Sequence, residues 1–148
     1  MPQAAKWLAL AAIVIVAIQF IPLERRNFPV KTDLVTPAPI KAALRTACYD
    51  CHSNRTRWPW YGAIAPASWL VAHEVNEGRR RLNFSDWDAY ASDPGTASQK
   101  LDEIADFVTS GKMAPWYYLV LHPGARLSKA QRETVAGWAR MQAQRAVQ

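Results

Sequence analysis

One short stretch, Cys48 to His52, places the strongest constraint on this chain. It reads Cys-Tyr-Asp-Cys-His, the spacing at which two thiols bond the vinyl groups of a c-type haem and the adjacent imidazole ligates the iron. Residues three apart share one face of a helical turn, so Cys48 and Cys51 can bond one macrocycle while His52 points toward its centre. The motif predicts one covalent haem c, with His52 as an iron ligand.

Three other sites use the same residue types. A redox dithiol requires a strand-to-helix setting, whereas Ile40, Leu44 and Ala47 recur at helical spacing before the motif. A zinc ion needs four ligands, so the two cysteines would have to recruit His73 or His122. A disulfide between the two cysteines stays open in an oxidising compartment.

The N-terminal segment from Trp7 to Leu23 carries no charge and predicts a single membrane span. A cleaved signal peptide is the alternative, but bulky residues occupy the place of a small-x-small cleavage site. More basic residues follow the span than precede it, which by the positive-inside rule favours a cytoplasmic domain. We nevertheless expect the haem domain on the periplasmic side of a bacterial inner membrane, because haem c is attached outside the cytoplasm.

The 148 residues have room for one domain and an anchor. The predicted division is a signal anchor over residues 1–24, a proline-containing tether over residues 25–38 and a haem domain over residues 39–148. Helical periodicity recurs through the domain and no strand pattern does, so the predicted class is all-α.

Several residues predict where helices begin and end. Ser85 is expected as an N-cap, Thr96 with Gln99 and Ser128 with Gln131 as capping boxes, and Gly78 and Gly111 as helix ends. Residues 112–118 are expected to be non-helical, and the last helix should bury a stripe formed by Val135, Trp138 and Met141.

The second axial ligand of the iron decides the chemistry. Met113 follows a helix end and precedes Pro115, in a stiff loop that suits a thioether ligand. His73 and His122 are the alternatives, as is an open position. Ligation by histidine and methionine raises the reduction potential and favours electron transfer.

Aromatic and arginine residues near the motif are further candidates. Trp58, Trp60 and Tyr61 carry more apolar area than a surface loop needs, so they are expected to pack on the haem or on the core. Trp116 belongs to a second aromatic segment and is a candidate of the same kind. Arg55 and Arg57 could pair with the haem carboxylates, although exposed arginines in a polar loop are common.

Four segments resemble the small haem-binding domain family of c-type cytochrome-like proteins: CYDCHSN, WPWYGAIAPASWL, HEVNEGR followed by LNFSDW, and KMAPWYY followed by LHPGARLS. The resemblance implies one covalent haem in a cytochrome c-like helical fold, with His52 as the proximal ligand and Met113 as the distal one. The family usually has Met-Pro-Pro where this chain has Met113-Ala114-Pro115, and often tyrosine at the position of Trp58.

These features predict a membrane-anchored electron carrier with one haem. We expect its partners to be a redox protein or a respiratory or photosynthetic membrane complex, and membrane lipid through the N-terminal helix. The formal net charge of +6 would favour an acidic partner or anionic headgroups. A haem-based redox or gas sensor and a structural haem subunit of a larger complex are the alternatives. An enzymatic role as a peroxidase is not expected, because the chain has one haem motif, and nucleic acid is not an expected partner.

Overall fold

The fold is all-α, as the sequence predicts. A computed structural model describes residues 2–148 and contains, within that range, no β-strand beyond one isolated bridge between Thr32 and Asp86. Its helices are α1 (Gln3–Ala17), α2 (Ala38–Ala47), α3 (Tyr49–His52), α4 (Ala67–Arg81), α5 (Asp88–Ala91), α6 (Pro94–Thr109), α7 (Trp116–Leu121) and α8 (Lys129–Ala146), with 3-10 turns at Ile18–Phe20, Trp60–Ala63 and Pro123–Ala125.

Helix α1 is long and apolar enough to cross a membrane. With the 3-10 turn that follows it, the helix runs for 18 residues, from Gln3 to Phe20, at a mean hydropathy of 1.7, and none of it is buried against the domain. At 1.5 Å per residue this length is about 27 Å, close to the thickness of a bilayer's hydrocarbon core.

The core lies where α6 packs along α8, with α2 completing it. Leu101, Ile104 and Val108 recur at the spacing of one helix face on α6 and are buried. Ala105 faces α8 from the same stripe and, like Ala139 of α8, is fully buried, so the two helices can approach closely.

The predicted buried stripe of α8 is only partly right. Val135 and Trp138 are buried, but Met141 is 44% exposed. The buried side continues instead through Ala139 and Ala143, which recur at intervals of four residues, so Met141 lies outside it.

Two of the helix boundary predictions hold. Ser128 and Gln131 form the reciprocal capping box at the start of α8. Gly111, with a φ of 71°, follows the end of α6 in the left-handed conformation that glycine adopts readily.

The other caps differ from the predictions. Asp93, rather than Thr96, caps α6, because Thr96 already lies in the first turn and donates from its backbone N–H to Asp93 Oδ2 at 2.8 Å. Ser85 caps no helix: it is buried, and its Oγ accepts a hydrogen bond from the backbone N–H of Asn54. Residues 112–118 are not wholly irregular, because α7 begins at Trp116 directly after Pro115, a residue whose φ suits a helix start.

The segment predicted as a tether lies against the helical domain. Asn27 Nδ2 donates to the carbonyl of Thr56 at 2.9 Å, and the backbone N–H of Thr56 donates back to Asn27 Oδ1 at 3.1 Å. Further along, Leu34 is 4% exposed and belongs to the core. The division at residues 24 and 38 stays a prediction, but the segment is bound to the domain over much of its length.

Leu34 and Val35 form a matched pair for testing this attachment. Leu34→Ala should lower the free energy of unfolding by about 2–5 kcal/mol, because it removes a buried side chain from the core. Val35 is 89% exposed, so Val35→Ala should change it by less than about 0.5 kcal/mol. Urea unfolding of the detergent-solubilised protein, followed by circular dichroism, measures both; equal losses would show that residue 34 lies outside the core.

Candidate functional site

The Cys48 to His52 motif forms one tight helical turn. The backbone N–H groups of Cys51 and His52 both donate to the carbonyl of Cys48, at 3.2 and 2.9 Å. Both cysteines are free. Burial raises the pKa of the Cys48 thiol to about 12 and that of Cys51 to about 11. These are protonated thiols, whereas the reactive cysteine of a redox dithiol has a lowered pKa.

His52 is held in one tautomer. Its Nδ1 lies 3.0 Å from the carbonyl oxygen of Gly78 and 3.1 Å from that of Leu82. Since carbonyl oxygens only accept, Nδ1 carries the proton and Nε2 keeps its lone pair. Burial lowers the pKa of His52, which favours the neutral ring. A neutral imidazole with its second nitrogen anchored to a backbone carbonyl is the usual form of a metal-ligating histidine.

Gly78 permits this arrangement by letting α4 approach the motif closely. A Cβ atom at residue 78 would lie 2.5 Å from the carbonyl oxygen of Cys51, well inside van der Waals contact. The prediction that Gly78 ends the helix is wrong, because α4 continues to Arg81. A glycine inside a helical pattern signals such a close approach as well as a helix end.

A cleft of about 330 Å³ separates the motif from the loop that carries Met113. Cys48, Cys51 and His52 line one part of it, and Met113 lines another. The structure therefore brings together the three motif residues and the methionine predicted as the distal ligand. The other lining residues are Ala47, Asp50, His73, Glu74, Glu77, Gly78, Arg81, Lys112, Ala114, Pro115, Tyr117 and Tyr118.

The two alternative histidines have different surroundings. His73 lies on α4, is exposed and borders the cleft. His122 does not border it: its ring stacks on Tyr118 at 4.1 Å, its Nδ1 lies 3.1 Å from the carbonyl of Tyr118 and its Nε2 lies 3.4 Å from the hydroxyl of Tyr61. Both nitrogens of His122 thus have other partners. No group of three potential zinc ligands occurs in residues 2–148.

The aromatic candidates lie outside the cleft. Trp60 and Trp116 are mostly exposed, and Tyr61 borders a smaller neighbouring cavity of about 100 Å³. The ring of Trp58 lies beneath the guanidinium groups of Arg25 and Arg79, at 5.6 and 6.0 Å.

The arginine candidates also lie outside the cleft. Arg55 is 3.9 Å from Asp33, and Arg57 forms a two-point ion pair with Asp50, at 3.1 and 3.0 Å. The cationic side chains that do border the cleft are Arg81 and Lys112. The sequence analysis did not predict that these two side chains border the cleft, although Arg81 lies three residues after Gly78 and so near its face of α4.

Asp50 links the motif to the far side of the cleft. Besides pairing with Arg57, it accepts a hydrogen bond from the hydroxyl of Tyr118 at 3.0 Å. Tyr118 belongs to α7, which directly follows the loop of Met113, so one carboxylate ties the two halves of the site together. Burial raises the pKa of Tyr118, which keeps its hydroxyl a donor. The sequence carried no signal for this pair, because their contact spans 68 positions.

The profile of the haem-binding domain family matches residues 13–141, most of the chain. This chain belongs to that family. No curated protein and no solved structure gives a significant match. Membership establishes the protein as a haem protein and confirms the predicted resemblance.

The cleft fits the group that the family binds. Two free thiols lie on one turn, a neutral imidazole has an unprotonated Nε2, and Met113, whose side chain carries a thioether, lines the same cleft. The donor set of imidazole and thioether is one that haem iron takes in proteins. The attachment through Cys48 and Cys51 stays a prediction.

Two glycine variants test the close approach of α4. Gly78→Ala should lower the yield of haem-containing protein, because the new methyl group would push α4 from Cys51 and lengthen the hydrogen bonds of His52. Gly137 has open space around its Cβ position in α8, so Gly137→Ala should leave haem content unchanged and stabilise the helix by up to about 1 kcal/mol. The haem absorbance per polypeptide measures the haem content of both variants. Equal haem content in the two would contradict the packing role of Gly78.

Proposed function

We propose that this protein is a membrane-anchored c-type cytochrome with one haem, which transfers electrons to or from redox partners at the membrane. One observation carries the proposal: His52, with its Nδ1 bound and Nε2 available, borders the same cleft as Cys48, Cys51 and Met113. Bound there, the haem would supply one-electron redox chemistry.

Each residue of the cleft has a separate task in this proposal. Cys48 and Cys51 would bond the haem covalently, which keeps it attached in both redox states. His52 would be the proximal ligand, and the hydrogen bonds from its Nδ1 to the carbonyls of Gly78 and Leu82 would fix the ring's orientation. Met113 would complete the coordination.

The charges around the cleft support the binding of an anionic group. Arg81 and Lys112 border it and would face the haem carboxylates in place of Arg55, whose partner is Asp33. Pro115, Tyr117 and Tyr118 border it from the side of α7 and would exclude water, which raises the reduction potential of a haem.

The proposed anchor and compartment rest on the apolar helix α1 and on the attachment chemistry. The apolar length of α1 suits a single span. Covalent attachment would place the domain on the periplasmic side of a bacterial inner membrane. Partners would then be a soluble redox protein or a respiratory or photosynthetic complex in the same membrane. With complete coordination the protein would act as a carrier and not as an enzyme.

Met113 and Met141 provide a matched test of the distal ligand. Met113→Ala should lower the midpoint potential and allow the reduced protein to bind carbon monoxide rapidly, because a coordination position opens. Met141→Ala should behave as the wild type, since Met141 lies on the exposed side of α8. Redox titration and absorption spectra of the purified holoprotein measure both effects.

The variant His73→Ala tests whether His73, in place of Met113, is the distal ligand. If the reduced His73→Ala protein binds carbon monoxide rapidly while the Met113→Ala protein does not, the distal ligand is His73. Rapid carbon monoxide binding by the wild-type protein would instead indicate an open site and favour a gas sensor over a carrier.

The electron-transfer role itself is tested in membranes. Respiratory substrate or light, according to the host's electron-transfer chain, should reduce or oxidise the wild-type haem within the turnover time of that chain. A haem that stayed unchanged during turnover would contradict the carrier role and leave a structural one.

A further inference from the structure

Helix α7 has an apolar outer side. Its six residues, Trp116–Leu121, include no charged or amide side chain. Tyr118 and Leu119 are partly buried against the domain, whereas Val120 and Leu121 are 66% and 62% exposed. A helix that is apolar on all sides is normally covered on all sides. No described part of this chain covers the outer side of α7.

The exposed apolar area continues from α7 onto the neighbouring turn and onto α4. Leu70 and Leu121 border the same small cavity, and Trp60 and Ile64 lie at the two ends of the turn that packs on α4. We call Trp60, Ile64, Leu70, Val120 and Leu121 the apolar surface; each is at least 50% exposed. Exposed apolar groups in contiguous patches mark binding surfaces.

This apolar surface begins where α1 meets the domain. The backbone N–H of Ala65 donates to Gln19 Oε1 at 2.9 Å, and Gln19 Nε2 donates to the carbonyl of Ala65 at 3.3 Å. Gln19 lies in the turn that ends the apolar helix, and Ala65 directly follows Ile64. A reciprocal amide pair therefore holds one edge of the apolar surface at the end of the predicted span.

We propose that the apolar surface rests in the interface of the bilayer that α1 spans, so that the domain binds lipid directly. This inference rests on the membrane anchor of the proposed function. The hydrogen bonds between Gln19 and Ala65 would place Ile64 at the boundary between the hydrocarbon core and the headgroups. Tryptophan, which the surface presents at residue 60, is enriched at that level.

The positive charges near the contact between Gln19 and Ala65 agree with lipid as the partner of the apolar surface. Arg25 and Arg26 follow the span: Arg25 stacks on Trp58, and Arg26 pairs with Glu24 while its side chain stays 69% exposed. Cationic side chains beside the end of a span can bind anionic headgroups. The edge of the apolar surface lies beside the end of α1, which the bilayer would already surround. A protein partner bound to this surface would therefore compete with lipid at that edge.

Nitroxide labels on introduced cysteines can test the proposal in the full-length holoprotein. Ile64→Cys and Leu121→Cys place labels on the apolar surface, and Ile13→Cys places one in the predicted span. Asp102→Cys is the aqueous control, because α6 packs on α5 and α8 and not on α1, α4 or α7. The labelled wild-type protein corrects for any reaction of Cys48 and Cys51.

The measurement compares label accessibility to oxygen with accessibility to a water-soluble nickel complex. In vesicles of phosphatidylcholine and phosphatidylglycerol, labels at residues 64, 121 and 13 should each give an oxygen-to-nickel ratio several-fold above that at residue 102. Haem absorbance confirms that each variant is folded.

The outcomes separate this inference from the proposed function. A high oxygen-to-nickel ratio at residue 13, with ratios at residues 64 and 121 as low as that at residue 102, would overturn the lipid-bound surface. The membrane anchor would then stand, and the apolar surface would be available to a protein partner. An aqueous ratio at residue 13 would contradict the membrane anchor and the lipid-bound surface together.

Discussion

The contact between α4 and the haem motif is the one on which the site depends. Gly78 lets the α4 backbone approach Cys51, and that closeness puts the carbonyls of Gly78 and Leu82 within reach of His52. The next residue, Arg79, extends the same contact. It donates to the carbonyls of Ser53 and Arg26 and to the hydroxyl of Thr56, so the loop after the motif and the segment after α1 are both bound to α4.

Local signals in the sequence predicted the parts of the site that are local in the chain. The motif is one turn of helix, and its spacing alone determines which face the thiols share. Met113 was predicted as the distal ligand because a helix end and a proline define its loop; the structure places it at the cleft, and its ligation stays a prediction. The capping box of Ser128 was right because both partners lie within four residues. The cap of α6 was wrong because Asp93 and Thr96 both offered suitable side chains, and the position of Pro94 decided between them.

Contacts between distant residues could not be predicted in this way. Trp58 was expected to pack on the haem or on the core, and Arg57 was only a candidate for pairing with the haem carboxylates. Instead, Arg25 lies above Trp58, and Asp50 pairs with Arg57. These pairings depend on how the loop folds back on α4 and α7, which no periodicity records. The segment after α1 looked like a tether because it has no periodicity, yet the amides of Asn27 and Asn54 form hydrogen bonds with backbone carbonyls between this segment and the domain.

The attachment of that segment has a consequence for how such a carrier would meet its partners. Asn27 binds the loop of Thr56, and Leu34 enters the core, so little free chain remains between α1 and the domain. A carrier on a long flexible linker searches a volume of solution and can reach partners at many distances from the membrane surface. Here the search would be confined to diffusion in the plane of the membrane, at one fixed height. A productive partner would need its own redox centre at that same height, so geometry as well as charge would select it.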